Sequence, residues 1–261
     1  HEEVGGRKAL HWNGVFQCQC GGVVAAQRQR GHCPQFVALV YEAAVVEGIV
    51  WVKYLDGYVK FVCLWIIYGK VVHYVQKNLS VFVLEYLDAV FISHEDYDHC
   101  GALASLKEHF KVKKVLYDFK KKKIGDLVFK NLALDKYYTN SNDRSSIIYV
   151  TINYLNYLFT GDISKEVESD LYQTYHHLDV DVLKVAHHGS SSSSSDDLFK
   201  MIDPKVALIS VGKNNRYRHP SYLTLNRLEA YGVKIYRSDL QGMVKIVYYG
   251  GKNYVMTSSG F

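Results

Sequence analysis

Three separated segments of this 261-residue chain place imidazoles and carboxylates directly after apolar runs. They are His94, Asp96, Asp98 and His99 in the stretch H-E-D-Y-D-H, then Asp162 in T-G-D, then His187 and His188 in H-H-G. Loops held at the ends of a rigid scaffold are where catalytic groups concentrate. In the first segment, residues 94, 96 and 98 can alternate around a tight loop while the adjacent Asp98 and His99 face different directions. One short stretch can therefore feed two neighbouring ions. Imidazole with carboxylate suits zinc, and a carboxylate-rich set also admits manganese or iron. A pair of ions about 3.5 to 4 Å apart lowers the pKa of a bridging water and stabilises both the attacking and the leaving oxygen of a displacement. That is hydrolytic chemistry at neutral pH. Taken singly, each of these residues also reads as a helix cap or a surface residue, and it is their shared strand-end context that favours metal.

The elements that must position these groups follow from patterning. Trp51 to Leu55, Tyr58 to Tyr68 and Lys70 to Val75 are β-branched and aromatic, with turns at Asp56-Gly57 and Gly69-Lys70, and predict a β-meander. Leu87 to Ser93 predicts a buried strand ending at His94, and Gly101 to Phe110 an amphipathic helix after it. A short strand is expected at Lys114 to Tyr117, then an antiparallel pair, Ser146 to Ile152 and Tyr154 to Phe159, ending in Thr160-Gly161-Asp162. A helix over Ser164 to Tyr175 leads to a strand over Val180 to Ala186, which delivers His187 and His188. The six serines Ser190 to Ser195 read as a flexible loop beside the site. Strands at Val206 to Val211, Val233 to Tyr236 and Met243 to Tyr248, with a helix over Tyr222 to Tyr231, complete the alternation.

With 48% hydrophobic and 22% charged residues and 3 prolines, the chain can bury a sizeable core, which excludes intrinsic disorder. The longest apolar stretches, Phe36 to Val52 and Phe61 to Val75, are broken by Glu42, Glu47 and Lys70, too soon for a span of about 18 uncharged residues. His1, Glu2 and Glu3 lack the basic and apolar regions of a secretory signal, and the expectation is a soluble domain, extracytoplasmic or tied to a membrane through a larger protein. Five cysteines (Cys18, Cys20, Cys33, Cys63, Cys100) are an odd number and favour free thiols. Cys18, Cys20, His32 and Cys33 depart from the paired C-x2-C spacing of structural zinc. A net charge of +5 fits a polyanionic substrate without specifying one.

S-H-E-D-Y-D-H at Ser93 to His99 resembles the H-x-[HD]-x-D-H signature of the metallo-β-lactamase superfamily. L-F-T-G-D-I at Leu158 to Ile163, D-V-L-K-V-A-H-H-G-S at Asp181 to Ser190 and S-V-G-K-N-N-R-Y-R-H-P at Ser210 to Pro220 resemble, together with it, the C-terminal hydrolase domain of the ComEC family of competence proteins. The resemblance runs from about Leu87 to Ile246. It implies an α/β fold, a four-layer αββα sandwich with metals at one edge of the sheets, and a phosphodiesterase or nuclease acting on DNA, single-stranded in this reading, during uptake. The partner it implies is the membrane channel part of a competence protein, and the cofactors are two divalent ions, zinc or manganese, with no tightly bound organic group. It further implies that His94 and Asp96 hold one ion, Asp98 and His99 the other, and that Asp162 bridges them. His187 would be the ligand of the H-H pair, with His188 behind it or on phosphate, although both remain metal candidates. Lys213, Asn214 and His219 would line the mouth, with His219 or Lys213 steadying a non-bridging oxygen, so that Asp98, His219 and Lys213 are the catalytic candidates. Residues 51–261 would form this domain, and residues 1–50 a segment without a readable role.

The sequence departs from the family in its first third. Tyr54-Leu55-Asp56-Gly57-Tyr58 keeps only the opening of an L-D-V-G-Q-G-D segment, and Val75 or a neighbour stands where a second aspartate supports the metal loop. Loss of such support typically costs about 10 to 100-fold in affinity or activity. No histidine but His109 lies between His99 and His176, and His109 reads as a helix-surface residue. Two other readings stay open: a hydrolase of a small phosphodiester or a lactone, and a non-catalytic nucleic-acid-binding domain. Lys107, Lys111, Lys113, Lys114 and Lys120 to Lys123 make the most basic region, which is a solvated face or a phosphate contact. Tyr217 and Tyr222 are candidates for base stacking.

Overall fold

A computed structural model describes residues 2–4, 35–40, 49–55, 58–64, 86–101, 103–109, 111–242, 244–249 and 251–257. Cys18, Cys20, His32, Cys33, Asp56, Gly57 and Val75 lie outside these residues, as does the side chain of His109. Four strands open the described chain: β1 (Glu2–Val4), β2 (Gln35–Val40), β3 (Ile49–Leu55) and β4 (Tyr58–Leu64). The short strands β5 (Tyr86–Leu87) and β6 (Val90–Phe91) are followed by helices α1 (Tyr97–Cys100) and α2 (Leu103–His109). Next come β7 (Lys111–Val112), β8 (Val115–Leu116), β9 (Lys121–Ile124), β10 (Leu127–Asn131), β11 (Ile148–Ile152) and β12 (Leu155–Phe159). Helix α3 (Lys165–Tyr175) precedes β13 (Val182–Lys184), α4 (Asp196–Ile202) precedes β14 (Val206–Ile209), and α5 (Tyr222–Ala230) precedes β15 (Lys234–Arg237). Helix α6 (Ser238–Gln241), β16 (Val244–Tyr249) and β17 (Lys252–Thr257) complete the order.

Two sheets face each other. The eight-stranded sheet runs β1-β17-β16-β2-β3-β4-β6-β8 and the seven-stranded sheet β15-β14-β13-β12-β11-β10-β9, while β5 and β7 pair separately. β1 and β2, from the first fifty residues, pair with β17 and with β16 and β3, so that segment supplies strands to the first sheet. Period-2 alternation explains the layering. Phe91 in one sheet, with Tyr157, Phe159, Val182, Val206 and Leu208 in the other, enters the apolar layer between the sheets. The intervening Leu158, Leu183, Ala207 and Ile209 point outward into a second core with Val167 and Leu171 of α3, Leu198 and Phe199 of α4, and Leu228 of α5. Both faces of β12 to β14 are therefore buried, which is why these strands read as continuous apolar runs.

β12 to β15 are parallel neighbours joined by α3, α4 and α5, whereas β9 to β12 are antiparallel. Parallel strands need such crossovers, and ligands of open α/β sheets gather at the carboxyl ends of the strands. Those ends carry Asp162 after β12, His187 and His188 after β13, and residues 210–220 after β14. The sequence runs Leu87 to Ser93 and Val180 to Ala186 prove longer than the paired strands they contain. Tyr154 belongs to the β11–β12 turn, where Asn153 and Tyr154 both have positive φ, 47° and 66°. That is the backbone of a type I′ hairpin.

The lysine run is a strand. Lys121 to Lys123 lie in β9, at the edge of the seven-stranded sheet, and charged side chains there keep an open edge from pairing with another chain. β9 is three strands from β12, roughly 14 Å at the usual spacing. Lys113 is tied to Asp88 by an ion pair of 2.9 Å.

Candidate metal centre

The first ligand segment is not a plain loop. Asp96 is the N-cap of α1, whose single turn closes through His99 N–H to Asp96 O (2.8 Å) and Gly101 N–H to Tyr97 O (2.8 Å). His99 is thus folded inward and fully buried, while Asp98 stays half-buried beside it. Asp162 is held from below by the 142–145 turn. Its N–H donates to Ser145 Oγ at 3.1 Å, and Ser164 N–H donates to Asp143 Oδ1 at 2.7 Å. Gly161 supplies the bend at φ +56°, and its carbonyl accepts from Lys184 Nζ and from His187 N–H, both at 3.2 Å.

These three loops meet. Asp162 Oδ2 lies 3.3 Å from His99 Nε2, 3.7 Å from His188 Nε2 and 3.9 Å from His187 Nε2. Asp98 Oδ2 lies 3.7 Å from His188 Nε2 and 3.9 Å from His99 Nε2, and Asp96 Oδ2 lies 3.7 Å from His94 Nε2. Two groups of ligand atoms close enough to share an ion result: His94, His99 and Asp162, and Asp98, His99 and His188. The rings of His94 and His99 lie against each other, with centroids 4.0 Å apart.

The donor set fits a divalent cation. His94 Nε2 and Asp162 Oδ1 are buried with no hydrogen-bond partner among the described residues. Buried polar groups are almost always satisfied, so such atoms are poised for something. Burial, then the neighbouring His99, lowers the pKa of His94 to about 4 and keeps its ring neutral, as a ligand must be. Burial also works against protonated His99, but the carboxylates of Asp162, Asp98 and Asp96 outweigh it and hold its pKa above the ordinary value. Burial opposes ionisation of Asp162, yet His99, His188 and His187 bring its pKa well down. The His188 hydrogen bond leads the lowering of Asp98.

Nδ1 of His188 lies 2.8 Å from the carbonyl of Ser210, which takes a proton on that nitrogen and leaves Nε2 toward Asp98 and Asp162. His188, rather than His187, belongs to a group of ligand atoms close enough to share an ion, whereas the resemblance favours His187 of the two. His187 is half-buried, and burial lowers its pKa despite the pull of Asp162. Lys213 and Asn214 are exposed on the loop after β14. His219, further along, puts its ring 5.8 Å from that of His187.

Several supporting residues had no signal in the ligand pattern. Ser93 Oγ reaches Nδ1 of His94 (3.1 Å) and of His99 (3.0 Å), and Ser145 Oγ reaches His94 Nδ1 at 3.2 Å. Lys184 is a buried amine 4.0 Å from Asp162 Oδ1, its pKa pushed far down by burial. Asn215, beside the expected Asn214, braces the loop by accepting from His219 N–H and donating to the carbonyls of His219 and Gly212. The serine run is not a loose loop either. Ser193 and Ser194 are fully buried, and the N–H groups of Ser194 and Ser195 donate to the Glu168 carboxylate at 2.7 and 2.6 Å.

Two facing sheets, helices outside them, and a His/Asp cluster at the strand ends decide the architecture. The chain has the metallo-β-lactamase fold. The pattern of the metallo-beta-lactamase superfamily matches residues 84–144, which include the first ligand segment. The metallo-β-lactamase fold protein YhfI from Bacillus subtilis superposes with a TM-score of 0.50 at 12% identity, over 83% of this chain and 99% of that one. In sequence, the chain is 31% identical over 205 residues to ComE operon protein 3 of Bacillus subtilis (strain 168), covering 67% of this chain and 26% of that protein. It is 27% identical over 180 residues to recombination protein 2 of Haemophilus influenzae, covering 62% of this chain and 22% of that protein. The chain thus spans about a quarter of the length of these curated relatives. No helix among the described residues is long and apolar enough to cross a membrane.

Proposed function

We propose that this chain is a metal-dependent phosphodiesterase that cuts DNA, and that it works in DNA uptake. The observation that carries the chemistry is the pair of ligand groups sharing His99, one with His94 and Asp162 and the other with Asp98 and His188. In this reading His94, Asp96 and Asp162 would hold one ion and Asp98, His188 and Asp162 the other, with the single Nε2 of His99 available to one of them. Divalent ions there would supply Lewis-acid polarisation of a phosphate oxygen and a water of lowered pKa. The residues themselves do the rest. Ser93, Ser145 and the Ser210 carbonyl fix which ring nitrogen of each histidine carries its proton. His187 and His219 are held neutral by burial, so each offers an N–H to a phosphate oxygen at the mouth of the site. Lys213, exposed on the same loop, adds a positive charge for the strand. The likeness to chains called ComE operon protein 3 and competence protein ComA supports DNA uptake as the setting.

The test is elemental analysis on protein purified without chelator, with hydrolysis of single-stranded DNA assayed on the same sample, for wild type and Asp98→Ala. About two ions per chain and cleavage that disappears in the variant are expected. Bound metal with turnover only of a small phosphodiester or a lactone would replace DNA as the substrate. Bound metal with no turnover would leave a nucleic-acid-binding domain, and absence of metal would overturn the proposal.

A further inference from the structure

A series of rings leads out of the His/Asp cluster to solvent. The centroids of His99 and His188 are 5.7 Å apart, those of His188 and His187 6.3 Å, and those of His187 and His219 5.8 Å. The last step changes character. Tyr217 lies nearly parallel to His219, at 5.8 Å and 18°, where the earlier pairs are tilted or edge-on. Exposure rises along the same path, from buried His99 and His188, through half-buried His187 and His219, to Tyr217 at 62%. The guanidinium of Arg216 sits 4.7 Å from the Tyr217 ring centroid and contacts its hydroxyl.

A singly exposed aromatic needs no explanation of its own, and what sets Tyr217 apart is its place at the end of the ring series that leads out of the His/Asp cluster. Its loop is also held in advance of any ligand. Asn215 bonds to Gly212 and His219, Arg218 N–H donates to Asn215 O at 3.1 Å, and Ser221 N–H donates to Gly189 O at 2.8 Å. A ring on a braced loop gives up little entropy when something stacks on it.

We propose that Tyr217, supported by His219 and Arg216, is a stacking subsite for a nucleobase of the strand whose phosphodiester occupies the His/Asp cluster. The inference rests on the phosphodiesterase reading above and narrows its substrate. A base can lie on Tyr217 only when it is unpaired and turned out, so the site selects single-stranded nucleic acid. Stacking reads a π-face and not hydrogen-bonding edges, so little sequence preference is expected.

The experiment compares binding of two fluorescent oligonucleotides of equal length, oligothymidine and a fully abasic analogue, to wild type, Tyr217→Ala and Tyr217→Phe, by anisotropy. Cleavage is read separately on the same samples. Tyr217→Ala should weaken oligothymidine binding about tenfold, and Tyr217→Phe by less than about twofold, with the weaker abasic binding unchanged. Tyr217→Leu, which keeps apolar bulk against His219 without a flat ring, should behave as Ala does, and this guards against a folding defect in the smaller variant. Equal losses on both oligonucleotides, no loss on either, or no binding to wild type would overturn the subsite. A base-dependent loss without cleavage by any variant would uphold the subsite and remove the phosphodiesterase. Cleavage with no effect at Tyr217 would do the reverse.

Discussion

The hydroxyl of Ser93 lies 3.0 Å from Nδ1 of His99, and the same oxygen lies 3.1 Å from Nδ1 of His94. A serine oxygen has two lone pairs, so it can accept an N–H from both rings at once. In the neutral rings that places the proton on Nδ1 and bares Nε2. Ser93→Ala should fold as wild type does, because only the hydroxyl is lost, but should bind zinc about 10 to 100-fold more weakly. Competition with a chromogenic chelator measures this. Unchanged affinity would show that backbone packing alone orients the rings.

Gly161 is irreplaceable for two separate reasons. Its φ of +56° strains any side chain, and a Cβ there would stand 2.6 Å from Cβ and Oγ of Ser145 and 3.2 Å from Cβ of Ser93. Both serines touch His94, so an added methyl reaches the ligand geometry through them. Gly161→Ala should lower stability by about 1 to 3 kcal/mol and reduce metal retention in the same samples. Calorimetry with metal analysis checks it, and a stable, fully metallated variant would contradict the argument.

The candidate ligand segments were readable from sequence because each follows an apolar run, and strand ends are where a parallel sheet presents its loops. Asp162, His187 and His188 follow β12 and β13 as that pattern requires. Which of His187 and His188 turns Nε2 toward Asp98 was not readable, because the Nδ1 contact that orients His188 is with the carbonyl of Ser210, more than twenty residues away in sequence. Ser93 and Ser145 stayed hidden for the same reason, since a serine's role is set by what its hydroxyl touches. The lysine run is the solvated face that composition suggests, with Lys121 and Lys123 exposed on edge strand β9, although composition does not show that it is a strand. The serine run misled in another way, because composition suggests a flexible loop and the buried Glu168 carboxylate decides otherwise.

Glu168 should make stability depend on pH. Burial raises its carboxyl pKa to about 7, with the N–H groups of Ser195 and Ser194 and the charge of Lys165 pulling back, while Arg227 bonds the neighbouring Ser194 carbonyl. A folded-state pKa above the ordinary 4.5 means the folded protein favours the protonated acid. Its stabilising contribution is complete below about pH 4.5 and is lost as pH rises through about 7, roughly 3 kcal/mol over that window. Glu168→Gln cannot ionise. The stability difference between wild type and variant should therefore move in the variant's favour between pH 5 and pH 8, and denaturant titrations giving a constant difference would refute this.

Metal affinity should fall from neutral pH downward, and His99 is the cause. His94 has a pKa near 4, so its ring is already neutral and gives up nothing when an ion arrives. His99 is different: burial works against its charged form, but Asp162, Asp98 and Asp96 hold its pKa above the ordinary value, so it takes up a proton at higher pH than an ordinary imidazole does. Binding at Nε2 must expel that proton, so below the His99 pKa affinity should drop about tenfold per pH unit for each proton released. Calorimetric titration with zinc at pH 6, 7 and 8, in buffers of different ionisation enthalpy, counts the protons directly. A count near zero at pH 6, or an affinity that does not change from pH 8 to pH 6, would mean that His99 is neutral before metal binds.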